Sequence, residues 1–290
     1  MTRLLAVFAA AAFIAVAQPE GWTAHRDMRY VSFGTERQTL DLYLPPDAPG
    51  AAPRPLVIWI HGGAWRAGSK QNPLPLRLIP DAGYAIASVN YRLSQMAKFS
   101  AQIEDCKAAV RWLRANAKQY KLDASRFAVW GSSAGGHLAA LLGTSDGKFD
   151  IGENLQFSSG VQAVVDYFGP TDFMQMDGHA LAGAPFRHDA PDSPESQLLG
   201  GPLMENDLMA ARANPIHYAS RNDPPFLIVH GDKDPQVPLH QSQLLETALR
   251  KAGVDVTLYV VAGAGHGQGF ERDARIVPMV KEFLARTLRR

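Results

Sequence analysis

Six short, uninterrupted apolar runs punctuate the chain: PLVIWI ending at Ile60, YAIASV at Val89, FAVW at Trp130, VQAVVDYF at Phe168, FLIVH at His230 and VTLYVV at Val261. Continuous rather than alternating hydrophobicity predicts strands covered on both faces. Between them, apolar residues recur at helical spacing over Ala101 to Tyr120, Ala134 to Leu142, Leu239 to Lys251 and Arg275 to Leu288. Ahead of these, Arg29 to Phe33 and Gln38 to Leu44 carry strand-type residues around Gly34-Thr35-Glu36, which predicts an opening hairpin. Strands alternating with helices imply βαβ crossovers, hence an α/β fold with a mostly parallel central sheet and helices on both faces. In such sheets ligand chemistry gathers at the carboxyl ends of the strands.

One stretch breaks the rhythm. Residues 172–222 show no strand pattern and are rich in Gly, Pro and Met, and Ser193-Pro194-Glu195 reads as a helix cap with proline at the first helical position. A long insertion inside a compact domain predicts a cap or lid. At the other end, residues 1–17 combine Arg3, an apolar Leu/Ala/Phe/Ile run and Ala15-Val16-Ala17, the pattern of a cleaved export signal. The run is too short to span a bilayer. One domain over residues 18–290, periplasmic or secreted and without a stable membrane anchor, is therefore expected.

Charge excludes further classes. The chain has 29 Lys+Arg against 28 Asp+Glu, and loss of Arg3 with the leader brings the formal charge to zero, so no basic block is left to hold nucleic acid. The single cysteine, Cys106, lies in step with Ile103, Val110, Leu113 and Ala117 and is expected to pack on a helix face. Asp146, Asp150 and Glu153 lack the spacing of a calcium loop and are expected on a solvated turn. Neither zinc-type Cys/His spacing nor a phosphate-cradling glycine loop is present, so no metal or cofactor is expected.

Candidate chemistry sits at four strand ends. Gly131-Ser132-Ser133-Ala134-Gly135 fits G-x-S-x-G between a strand and a helix, a sharp turn that lifts the central serine hydroxyl above the sheet and needs small residues where strand and helix meet. Taken alone the pattern is weak, with a chance match in a chain of this length about one in ten. Context strengthens it. His61-Gly62-Gly63-Ala64-Trp65 follows the first continuous strand, where backbone N–H groups of Gly63 and Ala64, with that of Ala134, are candidates for stabilising an oxyanion. Trp65 either lines the pocket or plugs the sheet edge. After FLIVH, Asp232 and Asp234 compete to orient a histidine; Asp234 is favoured because it stands further into the loop and before a proline, while Asp232 suits local backbone donors. After VTLYVV, the glycine-rich loop 262–269 carries His266, the base candidate. His61 and His230 are expected to hold loops, and His137 to face its own helix. His25, His179, His188, His217 and His240 have no partner pattern, which leaves surface or cap roles. Tyr167 is a candidate pocket residue by position, and Phe173, Met174, Met176 and Phe186 are candidates either for an apolar slot or for packing the cap.

The order Ser133, Asp234, His266 is that of α/β-hydrolases. HGGAW, NYRLS at 90–94, GSSAGGHLA at 131–139, YFGPTD at 167–172, LLGG at 198–201 and HGDKDPQVP at 230–238 resemble exported bacterial esterases of that superfamily, of the feruloyl-esterase-like and hormone-sensitive-lipase-like groups. The resemblance runs from about residue 27 to the end. It implies a parallel sheet after a short antiparallel start, a cap over 172–222, and a serine carboxylesterase acting on acetyl, feruloyl or other small acyl esters, including those on plant polysaccharides. Ala64 departs from the family motif, which usually has a third glycine there; its methyl is expected to narrow the acyl site. A prolyl-oligopeptidase-like peptidase and a non-catalytic binding module of the same fold are the alternatives.

Overall fold

Each continuous apolar run forms a strand of one eight-stranded sheet, in a computed structural model that describes residues 19–288 except Ala48 and Asn72. The export-signal expectation falls on residues 1–17 and lies outside the described residues. The strands are β1 (Thr23–Arg29), β2 (Thr39–Leu44), β3 (Arg54–Ile60), β4 (Ala85–Val89), β5 (Leu122–Ser132), β6 (Ala163–Tyr167), β7 (Phe226–Gly231) and β8 (Val256–Val261). Their spatial order is β1-β2-β4-β3-β5-β6-β7-β8. Only the β1–β2 and β2–β4 pairings are antiparallel. This is the α/β-hydrolase architecture. The helices are α1 (Leu74–Leu78), α2 (Ala101–Ala115), α3 (Ala134–Thr144), α4 (Pro194–Leu199), α5 (Asp207–Ala213), α6 (Leu239–Ala252) and α7 (Ile276–Thr287).

Alternation along the strands divides the core in two. Leu56, Ile58 and Ile60 of β3, with Phe127 and Val129 of β5, pack on the face covered by α2, α3 and α6. Val57, Trp59, Ala128 and Trp130 face the other way, where Ile276, Val280, Phe283 and Leu284 of α7 cover them. Trp59 and Trp130 meet edge to face across the neighbouring strands at 6.2 Å. Such aromatic pairs add about 0.5–1.5 kcal/mol to their area burial. Cys106 lies buried on α2 with Ile103, Val110 and Leu113, as expected, but the helix stops at Ala115, short of the expected Tyr120. Among the described residues no helix is long and apolar enough to cross a membrane.

The opening hairpin differs from expectation. Its first strand is Thr23–Arg29, not Arg29 to Phe33, and Phe33 is wholly exposed. A register shift between His25 and Met28, with Asp27 at φ 55°, breaks the period of two that would have marked this polar edge strand. The turn carrying Asp150 is also not simply solvated: Asp150 receives Arg111 and Lys107, both buried on α2. Lys107 further donates to Ser145 O at 2.6 Å, so two helix cations pin this loop.

Asp166 of β6 is a carboxyl inside the core. Its Oδ1 accepts from Gly169 N–H at 3.0 Å, whereas Oδ2 has no partner among the described residues. Burial raises its pKa to about 6, opposed only in part by that N–H and by His230. An unfolded aspartate titrates near about 3.9, so stability is full below that value and is lost as pH rises through about 6. Asp166→Asn, which cannot ionise, is expected to gain about 3 kcal/mol on the native protein between about pH 4 and pH 7. Thermal melts across that range check this, and a pH-independent difference contradicts it.

Candidate active site

Strand β5 passes into α3 within one residue. Ser133 takes φ 56° and ψ −125°, a conformation that costs a non-glycine residue about 1–3 kcal/mol. It is tolerated because the neighbouring backbones lock it. A Cβ on Gly131 would lie 2.0 Å from Gly135 O, and one on Gly135 only 2.1 Å from Ile60 O. Ser133 N–H donates to Tyr167 O at 2.8 Å, and Ser133 O accepts from His137 N–H at 3.0 Å to begin the helix.

Two further loops converge on this corner. His266 Nε2 lies 2.9 Å from Ser133 Oγ, and His266 Nδ1 lies 2.7 Å from Asp234 Oδ2. A carboxylate facing Nδ1 places the ring proton there and leaves Nε2 as the acceptor for the serine hydroxyl. Asp234 is itself held from all sides. Its Oδ1 accepts from the N–H groups of Gln236 and Val237, at 2.8 and 2.9 Å. Nε2–H of His230 reaches Val237 O at 2.9 Å and Asp234 Oδ2 at 3.3 Å, while Nδ1 accepts from Ser242 Oγ at 2.7 Å. Burial alone would raise the Asp234 carboxyl; the hydrogen bonds from His230 and His266 overcome it and hold the group well below the ordinary carboxylate value. Asp232 instead accepts from Gly263 N–H at 2.6 Å, and Lys233 N–H donates to Ala264 O at 2.9 Å, so the two loops are stitched together.

The HGGAW loop completes the rim. Gly63, Ala64 and Trp65 take φ of 111°, 53° and 54° in succession, and Gly63 O accepts from both Arg66 and Ala67 N–H. Among the described residues, the Gly63 and Ala64 N–H groups have no backbone acceptor. Ala134, first residue of α3, has no preceding turn to bond its own. His61 anchors the loop, with Nδ1 2.7 Å from Gly62 O and Nε2 3.1 Å from Arg37 Nη2. Burial pushes its pKa down to about 3, so the ring is neutral.

A cavity of about 450 Å³ opens over Ser133 and His266. Gly62 to Ala67 form one wall and Phe168, Phe186, His188, Glu195, Gln236 and Val237 much of the rest. Trp65 lines it while being almost wholly buried, its ring packed against His137 and Phe173 and not at an edge of the sheet. Tyr167 does not: its ring points to the α7 side of the sheet, packed on Trp130 and Phe270, because it alternates with Asp166 along β6. Tyr167 contributes its carbonyl, and the next residue, Phe168, supplies the ring, 4.5 Å from His266. Phe168 has φ 45°, a reversal that the apolar run through 168 conceals. Of the four apolar candidates in 172–222, only Phe186 reaches the cavity; Phe173 and Met176 are core, and Met174 is exposed. His137 turns away from its own helix to donate to Ala213 O at 2.7 Å. Among the described residues no group of three or more His, Cys, Asp or Glu side chains is arranged to hold a metal ion.

Against known families, a model described as BD-FAE matches residues 40–249. The chain belongs to the BD-FAE family. Esterase LipQ of Mycobacterium tuberculosis is 31% identical over 87% of this chain and 60% of its own length, so this chain spans less than two thirds of that relative. Among solved structures, a truncated carbohydrate esterase from gut microbiota superposes with a TM-score of 0.81 at 33% identity, covering 91% of this chain and 96% of that one. A bifunctional GH43-CE protein of Bacteroides eggerthii gives 0.80 at 35% identity, over 92% of this chain and 35% of its own. The BD-FAE match begins in β2 and ends in α6, so it covers Ser133 and Asp234, whereas His266 lies beyond it.

The contact at Gly135 gives a direct check on this BD-FAE chain. Gly135→Ala must push α3 off β3 and is expected to destabilise the protein by about 1–3 kcal/mol or more. Denaturant unfolding measures it; a loss under about 0.5 kcal/mol is the contrary result.

Proposed function

We propose that this chain is a serine carboxylesterase that removes small acyl groups from carbohydrate-borne esters through an acyl-enzyme. The reading is carried by one observation: a hydroxyl, an imidazole and a buried carboxylate in hydrogen-bonded file, at 2.9 and 2.7 Å, over a cavity. Ser133 Oγ attacks the ester carbonyl as its proton passes to His266 Nε2. Asp234 keeps the Nδ1–H tautomer and stabilises the imidazolium that forms. Negative charge on the carbonyl oxygen is met by the N–H groups of Gly63, Ala64 and Ala134. The tetrahedral intermediate collapses, the alcohol oxygen takes the proton from His266, and the acyl group stays on Ser133. Water then attacks the acyl-enzyme as its proton passes to His266 Nε2, and the second tetrahedral intermediate collapses with His266 returning that proton to Ser133 Oγ as the acid leaves.

Ester rather than amide substrates are supported by the names of the relatives: an esterase, a carbohydrate esterase and a GH43-CE protein. The leader read at residues 1–17 goes with export and with a substrate met outside the cytoplasm.

Ser133→Ala is expected to lower kcat on 4-nitrophenyl acetate by about 10⁴-fold or more, and Asp234→Asn by about 10⁴-fold. Steady-state kinetics on purified protein checks both. Wild-type turnover in Ser133→Ala defeats the reading, as does hydrolysis of prolyl amides without hydrolysis of esters.

A further inference from the structure

The cavity holds a second polar centre, built on the segment between β6 and β7. His188 and Glu195 both line it and are 6% and 3% exposed. His188 Nδ1 donates to Glu195 Oε1 at 3.0 Å, and His188 Nε2 donates to Gln236 O at 3.0 Å. With an acceptor facing each ring nitrogen, the geometry favours the doubly protonated imidazolium at His188. Burial works against that charge, but Glu195, with Asp177 further off, outweighs it and raises the pKa.

Glu195 Oε2 is left over. It is buried and has no partner among the described residues. Nor is the carboxylate needed to cap α4, since Ser193 Oγ already accepts from Ser196 N–H at 3.0 Å. A buried carboxylate oxygen without a donor is costly, so an occupant that brings one is favoured. That donor is better neutral than cationic. Arg66 and His188 already place two positive groups around the cavity against the one carboxylate of Glu195. A hydroxyl fits this balance.

We propose that Glu195 Oε2, steadied by His188, accepts a hydroxyl from the alcohol portion of the ester, so that the cavity selects esters of polyhydroxylated, sugar-like alcohols over those of plain hydrocarbon alcohols. The inference rests on the esterase reading for the bond that is cleaved, but the binding contact stands apart from turnover. Its position is set by the same frame as the triad, because Gln236, which accepts from His188, also donates its N–H to Asp234.

The test reads binding in a Ser133→Ala background, where the ligand is not consumed. Dissociation constants are measured for an acetylated methyl xyloside and for cyclohexyl acetate, with and without Glu195→Gln, which keeps the side chain's shape but replaces an acceptor oxygen by a donor. The ratio of the two constants is expected to shift by about 10- to 100-fold toward the hydrocarbon ester. A ratio unchanged within twofold overturns the proposal; equal weakening of both ligands makes the pair only a strut for the Asp234 loop. Should Glu195→Gln fail to fold, acetylated xylosides each lacking one hydroxyl are titrated into Ser133→Ala alone. At least one is expected to bind about tenfold more weakly than the parent, and equal binding by all overturns the proposal. A native protein that hydrolyses neither ester defeats the esterase reading, while the ratio of binding constants still decides this one.

Discussion

Two backbones pressed into contact govern this molecule. β5 can be followed at once by α3 only if the connecting residue turns back on itself, and at Ser133 it does so with φ 56° and ψ −125°. Gly131 and Gly135 make the turn possible, since a methyl group at either would collide with a carbonyl oxygen. The unfavourable conformation is held by the Ser133 N–H bond to Tyr167 O and by helix α3 itself. Strain of this kind persists only where the surroundings over-determine it. Here they do, because β5 lies in the middle of the sheet with β3 and β6 on either side.

From that corner the other parts take their places by sheet order. The HGGAW loop leaves β3 beside it, Phe168 leaves β6, the Asp234 loop leaves β7 and the His266 loop leaves β8. Three of these loops carry a histidine whose protonation state is settled by its surroundings. His61 is neutral by burial, His230 carries its proton at Nε2 because two acceptors face it, and His266 carries its proton at Nδ1 because Asp234 does. A preorganised site of this kind needs little rearrangement as charge develops.

Much of this was legible in the sequence, for physical reasons. Central strands buried on both faces leave continuous apolar runs, and the steric demand at the elbow leaves glycines at 131 and 135, so the sheet and Ser133 could both be read. Asp234 could be told from Asp232 by its distance from the strand end, and the structure puts Asp232 on a backbone donor as that logic requires. What failed has equally physical causes. Strand β1 is a polar edge strand with a bulge, and carries no alternation. Tyr167 and Phe168 are adjacent, so hydrophobicity alone could not tell which ring faces the cavity; the reversal at Phe168 decides it. His188 and Glu195 belong to a segment without periodicity, where contacts come from tertiary folding. The only local sign there, Ser-Pro-Glu, marked the start of α4 and not the carboxylate.

The central claim is that Ser133, raised on a strained turn, is the group that takes the acyl carbon while three backbone N–H groups receive the oxyanion. The most direct measurement is a crystal structure of the native protein after reaction with a 4-nitrophenyl phosphonate. Phosphorus bonded to Ser133 Oγ, with the phosphoryl oxygen within hydrogen-bonding distance of the Ala134 N–H and of Gly63 or Ala64, is the expected result. An unreacted Ser133, or an adduct whose oxygen faces away from those groups, contradicts it.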